Sequence, residues 1–255
     1  MSMMSNMYDF KREIGWLLKE KYGGKMSEGA EIDIVRIKQG EPVAYVIGFV
    51  DFLGCKIDLS RKPLIPRAET EFWVERAMND IENGKAKYLD IFAGSGCIGV
   101  SILKKFREAT VDFVDRESVA IEQIKINCKL NAIDSSRYRI IQSNIFEKVD
   151  GSYDYIFANP PYIAEERKTD VQESVLLHEP HTALFGGDDG LVYIEEFLDK
   201  VKAHLNENGV LCLEFDTHQK DKIEEMLRGK GFSKINFHRD QFGKWRYLTL
   251  EYQNI

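Results

Sequence analysis

Hydrophobic and polar positions follow two different periods along the chain, and the change of period predicts the order of its elements. Apolar residues spaced three and four apart predict amphipathic helices, whereas short runs rich in β-branched and aromatic residues predict strands. From residue 87 onward the two patterns alternate. Strands are predicted in the runs YLDIFA, TVDFVD, RIIQSN, YDYIFAN and GVLCLEF, and helices over residues 98–106, 118–130, 191–204 and 219–230.

This alternation favours an α/β fold with a doubly wound, Rossmann-like and mostly parallel sheet, because a helix between successive strands lets them lie side by side in the same direction. Two further strand-like runs, KINFH and WRYLTLEY, are joined by a short turn near the C-terminus. A turn that short connects antiparallel strands. We therefore expect seven strands, of which the last two form an antiparallel hairpin.

The N-terminal part of the chain shows a less regular pattern. One amphipathic helix is predicted over residues 8–21, ended by Gly23-Gly24. The stretch EPVAYVIGFVDFLGCKIDLS contains two β-rich runs around residues 48–54, which indicate a hairpin, and a further helix is expected to begin near Thr70. We therefore expect a short helical segment (1–40), a linking β-hairpin (41–62) and the main α/β domain (63–255).

Composition and charge narrow the class of protein. A chain of 255 residues, 44% of them hydrophobic, can bury one sizeable core with a small appendage. A formal charge of −7 argues against a broad nucleic-acid-binding surface. Four widely spaced cysteines without a C-x-x-C pair indicate reduced, buried thiols and no metal site. We find no secretory signal and no apolar run of membrane length, so we expect a cytoplasmic protein with no membrane partner.

The turn LDIFAGSGCIG, between the first strand and first helix of the main domain, indicates a nucleoside cofactor. It contains the pattern G-x-G-x-x-G at Gly94, Gly96 and Gly99, and Asp115 ends the next strand. Such glycines let a ligand approach the backbone closely, and an acid about 20 residues further on hydrogen-bonds ribose hydroxyls. A tight turn without a ligand, beside a solvated carboxylate, is the alternative. The turn alone fits NAD as well as any other adenosine-bearing cofactor.

The sequence Asn159-Pro160-Pro161-Tyr162, after the fourth strand, narrows the chemistry. It is expected at the carboxyl edge of the sheet, beside the cofactor. Proline disfavours a helical Asn159, and neither proline donates a backbone hydrogen bond. The stiff loop presents two acceptors, the Asn159 side-chain oxygen and the Pro160 carbonyl, which suit an –NH2 group. The Tyr162 ring can lie over a planar amide or base. The alternative is a rigid loop without a ligand.

With these motifs the chain resembles class I S-adenosylmethionine-dependent methyltransferases that act on exocyclic or amide nitrogen. It resembles more closely the HemK/PrmC family, protein-(glutamine-N5) methyltransferases that modify the Gly-Gly-Gln motif of peptide-chain release factors. The likeness runs from about residue 40 to the end, in GEPVAYVIGFVDFLG, LIPRAETE, LDIFAGSGCIG, NPPYI, EPHTALFGGDDGL, LEF and DQFGKWRYL. It implies a class I methyltransferase fold, S-adenosyl-L-methionine as cofactor and a release factor as protein partner.

Expected site residues follow from the motifs and the resemblance. Asp90, an acid inside the first strand, is expected to reach the cofactor's amino group through water, and Glu179 of the His-Glu-Pro element is expected to help to close the substrate loop. The expected cofactor-binding residues are Asp90, Phe92, Ala93, Gly94, Ser95, Gly96, Asp115, Asn144, Ile145 and Asn159. The expected catalytic and substrate-binding residues are Asn159, Pro160, Pro161 and Tyr162, with Glu179 added for the substrate.

Three departures from the family pattern bear on function. The family usually has glycine at Phe92 and an acid at Asn144. It also carries a separate N-terminal helical domain that helps to bind the release factor, whereas only about forty residues precede EPVAY here. Residues 1–40 are therefore expected to be a reduced substrate-docking domain.

Two alternative functions remain open from the sequence. An adenine-N6 methyltransferase of DNA or RNA would use Asn-Pro-Pro-Tyr equally well, although the acidic balance and the EPxAY and GGxDGL elements count against it. A non-catalytic module, in which Phe92 blocks the cofactor pocket, is the second. A dehydrogenase shares the glycine turn but leaves Asn-Pro-Pro-Tyr without a purpose.

Overall fold

The computed structural model describes residues 2–82 and 84–253, and it begins with helices and a β-hairpin. Leu17, Ile37 and Val46 pack together and join the first three helices. The strands of the hairpin pair antiparallel. These elements are α1 (Ser2–Tyr22), α2 (Glu28–Lys38), α3 (Val43–Ile47), β1 (Phe49–Phe52), β2 (Cys55–Asp58) and α4 (Ala68–Asn79).

The first of the two β-rich runs divides between helix and strand, because residues 43–47 form α3 and only residues 49–52 form β1. The carbonyl of Pro42 accepts hydrogen bonds from the backbone N–H groups of Tyr45 (2.9 Å) and Val46 (3.2 Å), and Gly48 ends the helix with φ of 96°. All five residues of α3 are buried. A short run that is buried on every side carries no polar face, so its periodicity does not separate helix from strand. The hairpin itself is present over residues 49–58.

Helix α2 is missing from the sequence prediction, which gave one helix before residue 40. Its start is set by Ser27, whose hydroxyl accepts from the Ala30 N–H at 3.2 Å. Ile32 and Val35 are exposed, so the apolar residues of α2 do not form one stripe. The buried Asp33 is held by Lys21 and other polar partners. Helix α2 is therefore held partly by polar contacts, which the pattern of hydrophobic residues cannot predict.

The main domain is built on a seven-stranded sheet, as predicted. Its strands are β3 (Lys87–Ile91), β4 (Thr110–Asp115), β5 (Tyr138–Gln142), β6 (Tyr153–Ala158), β7 (Leu205–Glu214), β8 (Phe232–Arg239) and β9 (Trp245–Tyr252). They lie in the order β5-β4-β3-β6-β7-β9-β8. Strands β3 to β7 pair in parallel, whereas β9 is antiparallel to both β7 and β8. The α/β class and the C-terminal antiparallel hairpin are confirmed.

Helices cover both faces of this sheet. Helices α5 (Cys97–Lys105) and α6 (Ser118–Leu130) pack on one face with α4, and α8 (Val192–Lys200) and α9 (Lys220–Leu227) pack on the other. Helix α7 (Glu173–His178) lies in the loop after β6 and buries no residue. Tyr88 packs on one face of β3 with Trp73 and Phe113, and Leu89 packs on the other with Phe197. Because the parallel strands are buried on both faces, their sequences are nearly continuous apolar runs. The four cysteines are free and buried. No helix in the described ranges has the length and apolar character needed to span a bilayer.

The strand order places the site. The chain leaves β3 toward β4 and β5 and then returns to β6 on the other side of β3. Loops that leave β3 and β6 therefore diverge at the carboxyl edge, where doubly wound sheets bind their ligands. The glycine turn follows β3, and Asn159 follows β6. Two motifs that are far apart in the sequence meet at this crevice.

Candidate active site

The turn after β3 borders a cleft at the carboxyl edge of the sheet, in the crevice between the loops that leave β3 and β6. The space in this cleft, including the part open to solvent, is about 590 Å³, and the cleft is lined by residues that include Phe92, Gly94, Asp115 and Asn159. Gly94 has φ of 53°, and a Cβ added there would meet no protein atom within 4 Å. A side chain at Gly94 would therefore stand in the cleft, in the space that a bound ligand would use.

Asp115 is fixed at the edge of this cleft by two backbone hydrogen bonds. Its Oδ2 accepts from the Gly94 N–H at 2.8 Å, and its Oδ1 accepts from the Glu117 N–H at 2.9 Å. Burial raises the pKa of Asp115, and these two hydrogen bonds oppose the rise. Each carboxylate oxygen can accept more than one hydrogen bond. Asp115 therefore keeps acceptor capacity for hydroxyl groups of a ligand.

Asp90 lies behind the glycine turn and does not line the cleft. It is 1% exposed, and its Oδ2 accepts from the Gly99 N–H at 2.8 Å, inside the first turn of α5. Burial raises the pKa of this carboxyl group to about 8, against the effect of that hydrogen bond. The expected contact through water with a cofactor amino group does not fit this position. Asp90 instead holds the start of α5 against β3.

Three other expected cofactor residues also lie outside the lining of the cleft. Ala93 is buried, and its N–H donates to the Val114 carbonyl at 3.0 Å. Ser95 is buried, and its carbonyl accepts from the Asn127 side chain at 2.8 Å. Gly96 directly precedes α5 and has the left-handed conformation. These residues shape the turn, whereas the side chains of Phe92, Asn144 and Ile145 line the cleft as expected.

Phe92 forms part of the cleft wall with aromatic residues that sequence reasoning missed. Its ring meets Tyr193 and Phe197 edge-to-face, with centroid distances of 6.5 and 5.8 Å. Arg116 donates to the Tyr193 hydroxyl at 2.6 Å, and both also line the cleft. Arg116 directly follows Asp115 in the sequence, and that position was a signal that it could belong to the site. Tyr193 lies on α8 and carries no sequence signal of its own.

The Asn-Pro-Pro-Tyr loop is anchored to a buried carboxylate. The Tyr162 hydroxyl donates to Glu214 Oε1 at 2.9 Å. Glu214 Oε2 accepts from Trp73 Nε1 at 2.5 Å and from the Thr70 hydroxyl at 2.8 Å. Burial raises the pKa of Glu214, and the three donors oppose the rise. The Asn159 amide contacts Thr70 Oγ1 at 3.5 Å.

A second cleft lies on the other side of Asn159. The space in it, including the part open to solvent, is about 960 Å³, and it is lined by Arg67, Pro160, Tyr162 and the apolar side chains of the loop that contains α7. Leu64, Asn159 and Ala183 line both clefts. Asn159 therefore stands at the boundary between a cleft at the glycine turn and a cleft open to a second molecule. Arg67, which the PRAETE motif contains, faces the second cleft.

The segment that follows α7 presses on the Asn-Pro-Pro-Tyr loop. The Ile163 N–H donates to the Leu184 carbonyl, and the Gly186 N–H donates to the Ile163 carbonyl, both at 2.9 Å. A Cβ at Gly190 would lie 2.1 Å from the Tyr162 carbonyl oxygen. Gln219 donates to that same oxygen at 2.9 Å. The GGDDGL element therefore has a physical role, because a side chain at Gly190 would push the loop away.

Glu179 fixes the wall of the second cleft from within the protein. Its carboxylate accepts from the Ile65 N–H at 3.0 Å and from Arg67 Nη2 at 2.8 Å, and the side chain is 1% exposed. This burial excludes an exposed surface turn at Glu179. Both oxygens bind the protein's own chain, so Glu179 holds the loop closed and does not itself reach toward a ligand.

The described residues contain no group of three or more His, Cys, Asp or Glu side chains arranged to hold a metal ion.

Comparisons with known proteins agree with this geometry. Residues 70–188 match the family model described as a methyltransferase small domain. The chain is 32% identical over 217 residues to the release factor glutamine methyltransferase of Lactococcus lactis subsp. lactis (strain IL1403), which covers 85% of this chain and 79% of that one. It is 32% identical over 242 residues to the protein of the same name from Agrobacterium fabrum (strain C58), with coverage of 92% and 83%.

Solved structures show the same fold at low identity. A methyltransferase from Pyrococcus furiosus superimposes with a TM-score of 0.60 at 19% identity, covering 87% of this chain and 98% of that one. A methyltransferase solved in complex with SAH gives a TM-score of 0.55 at 13% identity, with coverage of 80% and 55%. The predicted class I methyltransferase fold is thereby confirmed.

Proposed function

The chain belongs to the family of release factor glutamine methyltransferases, and we propose that it transfers a methyl group from S-adenosylmethionine to the side-chain amide nitrogen (N5) of glutamine in the Gly-Gly-Gln motif of a peptide-chain release factor. The observation that carries this proposal is the place of Asn159, which lines both clefts. A residue at the boundary between the two clefts can orient an acceptor in one cleft toward a cofactor in the other. The cofactor belongs in the cleft at the glycine turn and the glutamine in the second cleft.

The first cleft suits an adenosine-bearing cofactor by the groups that line it. Gly94 leaves the backbone open, Asp115 offers carboxylate oxygens suited to ribose hydroxyls, and Asn144 places an amide at the edge of the cleft. Phe92 and Tyr193 add aromatic surface. When bound, S-adenosylmethionine supplies a methyl group attached to a positively charged sulfur. The protein's own residues then have to orient the acceptor nitrogen.

The acceptor nitrogen needs orientation because an amide is a poor nucleophile. Its lone pair is delocalised, as the rotation barrier of about 18–20 kcal/mol in the related peptide bond shows. Asn159 Oδ1 and the Pro160 carbonyl can accept the two amide hydrogens of the glutamine and hold the –NH2 plane. Positive charge develops on the nitrogen during transfer, and preorganised carbonyl dipoles stabilise that charge where it forms. Once alkylated, the nitrogen is acidic and releases its proton without a strong base.

The walls of the second cleft suit an extended peptide loop. Apolar side chains of Val171, Val175 and Leu184 line it beside Arg67. Flanking glycines would let a Gly-Gly-Gln loop enter without side-chain clashes. We further propose that residues 1–40 are a docking segment for the release factor, that residues 41–62 link it to the catalytic part, and that residues 63–255 are the methyltransferase domain.

Labelling tests the proposal directly. The protein is incubated with methyl-labelled S-adenosylmethionine and a release factor, and the modified residue is mapped by mass spectrometry. We expect label on the glutamine of Gly-Gly-Gln and none when glutamate replaces it, since glutamate lacks the –NH2 group. Equal labelling of the glutamate variant would contradict the proposal, as would preferential labelling of an adenine-containing duplex. Calorimetry without detectable S-adenosylmethionine binding would point to a non-catalytic module.

A further inference from the structure

A chain of side-chain contacts connects the buried Glu214 to Asn159. Glu214 Oε2 accepts from Thr70 Oγ1 at 2.8 Å, and Thr70 Oγ1 contacts Asn159 Nδ2 at 3.5 Å. Thr70 is 3% exposed and Glu214 is 1% exposed. Thr70 lies in the first turn of α4, and Glu214 ends β7. Neither residue lines either cleft, so their effect on an acceptor must pass through other residues.

The donors around Glu214 fix the direction of these hydrogen bonds. The indole N–H of Trp73 can only donate, and it donates to Glu214 Oε2 at 2.5 Å. Together with the Tyr162 hydroxyl, three donors converge on Glu214, so that both of its carboxylate oxygens act as acceptors. The single proton of the Thr70 hydroxyl therefore points at Glu214. Thr70 Oγ1 is left to accept.

An accepting Thr70 selects one of the two orientations of the Asn159 amide. The –NH2 end must face Thr70, because Oδ1 would meet another acceptor there. Rotation of the amide by a half turn would exchange its donor and acceptor ends. The selected orientation leaves Oδ1 as the end that serves the acceptor molecule. The opposite orientation would present an –NH2 group to another –NH2 group and would repel it.

We infer that Thr70 and Glu214 are positioning residues for methyl transfer, which fix the orientation of the Asn159 amide through the contacts from Glu214 Oε2 to Thr70 Oγ1 to Asn159 Nδ2. The inference rests on the proposed function. It assigns a role to the threonine of the PRAETE element and to the glutamate of LEF. It also explains how one asparagine side chain can present an acceptor without exchanging its ends.

Kinetics with Thr70 variants test this role. Thr70→Val keeps the shape but removes the hydroxyl, whereas Thr70→Ser keeps the hydroxyl. We expect Thr70→Val to lower kcat by about 10–100-fold, the loss typical when a group that orients a metal ligand is removed, and to leave cofactor affinity unchanged. Thr70→Ser should restore most of kcat. Thr249→Val is the matched control, since the Thr249 hydroxyl contacts His238 at 2.8 Å away from both clefts.

A double-mutant cycle separates positioning from a general structural role. If Thr70 acts through Asn159, Thr70→Val should cost little further activity in an Asn159→Ala background, because coupled residues are not additive. An additive loss in that background would overturn the inference. A wild-type kcat for Thr70→Val would overturn it as well.

Nuclear magnetic resonance provides a test that needs no acceptor. The side-chain amide signal of Asn159 is identified by its loss in Asn159→Ala. We expect that signal to move in Thr70→Val and to stay near its wild-type position in Thr70→Ser. An unmoved signal in Thr70→Val would overturn the inference even in an active enzyme. If the wild-type protein labels no glutamine, the proposed function fails, and this signal still decides whether Thr70 orients Asn159.

Discussion

Arg67 and Glu179 are 112 residues apart in the chain, yet their side chains form an ion pair with a distance of 2.8 Å between Nη2 and Oε1. The same carboxylate accepts the Ile65 N–H at 3.0 Å. Two sequence elements, LIPRAETE and HEP, are therefore one structural unit at the wall of the second cleft. The pair positions the loop that contains α7 against the segment before α4.

Removal of the Glu179 carboxylate should destabilise the fold and weaken use of the release factor. Glu179→Ala leaves the Ile65 N–H buried without its acceptor, which costs about 1–3 kcal/mol. We expect a lower free energy of unfolding in urea, a higher KM for the release factor and a small change in cofactor affinity. Glu108→Ala is the control, because its pair with Lys85 is exposed and should contribute below about 1 kcal/mol. Equal unfolding energies for the two variants would contradict this assignment.

Asp115→Ala should weaken binding of S-adenosylmethionine. A hydrogen bond to a charged group contributes about 1.5–3 kcal/mol, which corresponds to roughly a 10- to 150-fold change in Kd. Isothermal titration calorimetry measures the Kd of both proteins for S-adenosylmethionine. Asp134→Ala is the control, since Asp134 also accepts a backbone N–H, from Ser136 at 2.9 Å, but does not line the cleft. An unchanged isotherm for Asp115→Ala would remove this residue from the cofactor site.

Replacement of Phe92 should reverse the usual order of glycine and alanine stabilities. Phe92 has φ of 59°, a region where a Cβ costs roughly 1–2 kcal/mol. Phe92→Gly and Phe92→Ala both lose the ring, so their difference reports the backbone. We expect the glycine variant to have the higher thermal midpoint. Ala132→Gly, at φ of 52°, should raise the midpoint for the same reason. A more stable Phe92→Ala would show that the left-handed backbone at Phe92 carries no strain.

Stability should depend on pH through Asp90. Burial raises the pKa of its carboxyl group to about 8 from 3.8, so between these values the folded state holds a proton that the unfolded state has lost. Stability then falls as pH rises through this window and levels off above it. Asp90→Asn keeps an acceptor for the Gly99 N–H but does not titrate. Its stability relative to wild type should rise from pH 5 to pH 8, measured by urea unfolding, and a difference independent of pH would contradict the raised pKa.

The sequence predicted the features that depend on local pattern and on topology. The period of apolar residues gave the seven strands of the main sheet, and the helix over residues 118–130 coincides with α6. Because doubly wound sheets bind ligands at the carboxyl ends of their strands, the glycine turn and Asn159 were expected in one crevice, although they follow different strands. The two motifs, together with the order of the strands, were enough to predict where the clefts lie.

The direction of a side chain was not predictable in the same way. Asp90 is part of the glycine motif, but its carboxylate turns into the protein toward Gly99. Tyr193 and Glu214 reach the site from α8 and β7, and contacts between residues so distant in sequence leave no periodic signal. The helix α3 is buried on every side, which removes the polar face that distinguishes a helix. Polar contacts and full burial are thus where sequence patterns fail.

The methylation rate of the release-factor glutamine by wild type and Asn159→Ala, at saturating S-adenosylmethionine, tests the central claim most directly. Asn159→Ala removes one acceptor and keeps both prolines, so the melting temperature should stay near wild type and cofactor binding should fall modestly. The rate should fall by about 10²–10³, the cost of deleting one preorganised hydrogen-bonding group at a developing charge. A folded Asn159→Ala protein that methylates the glutamine at the wild-type rate would contradict the proposed mechanism.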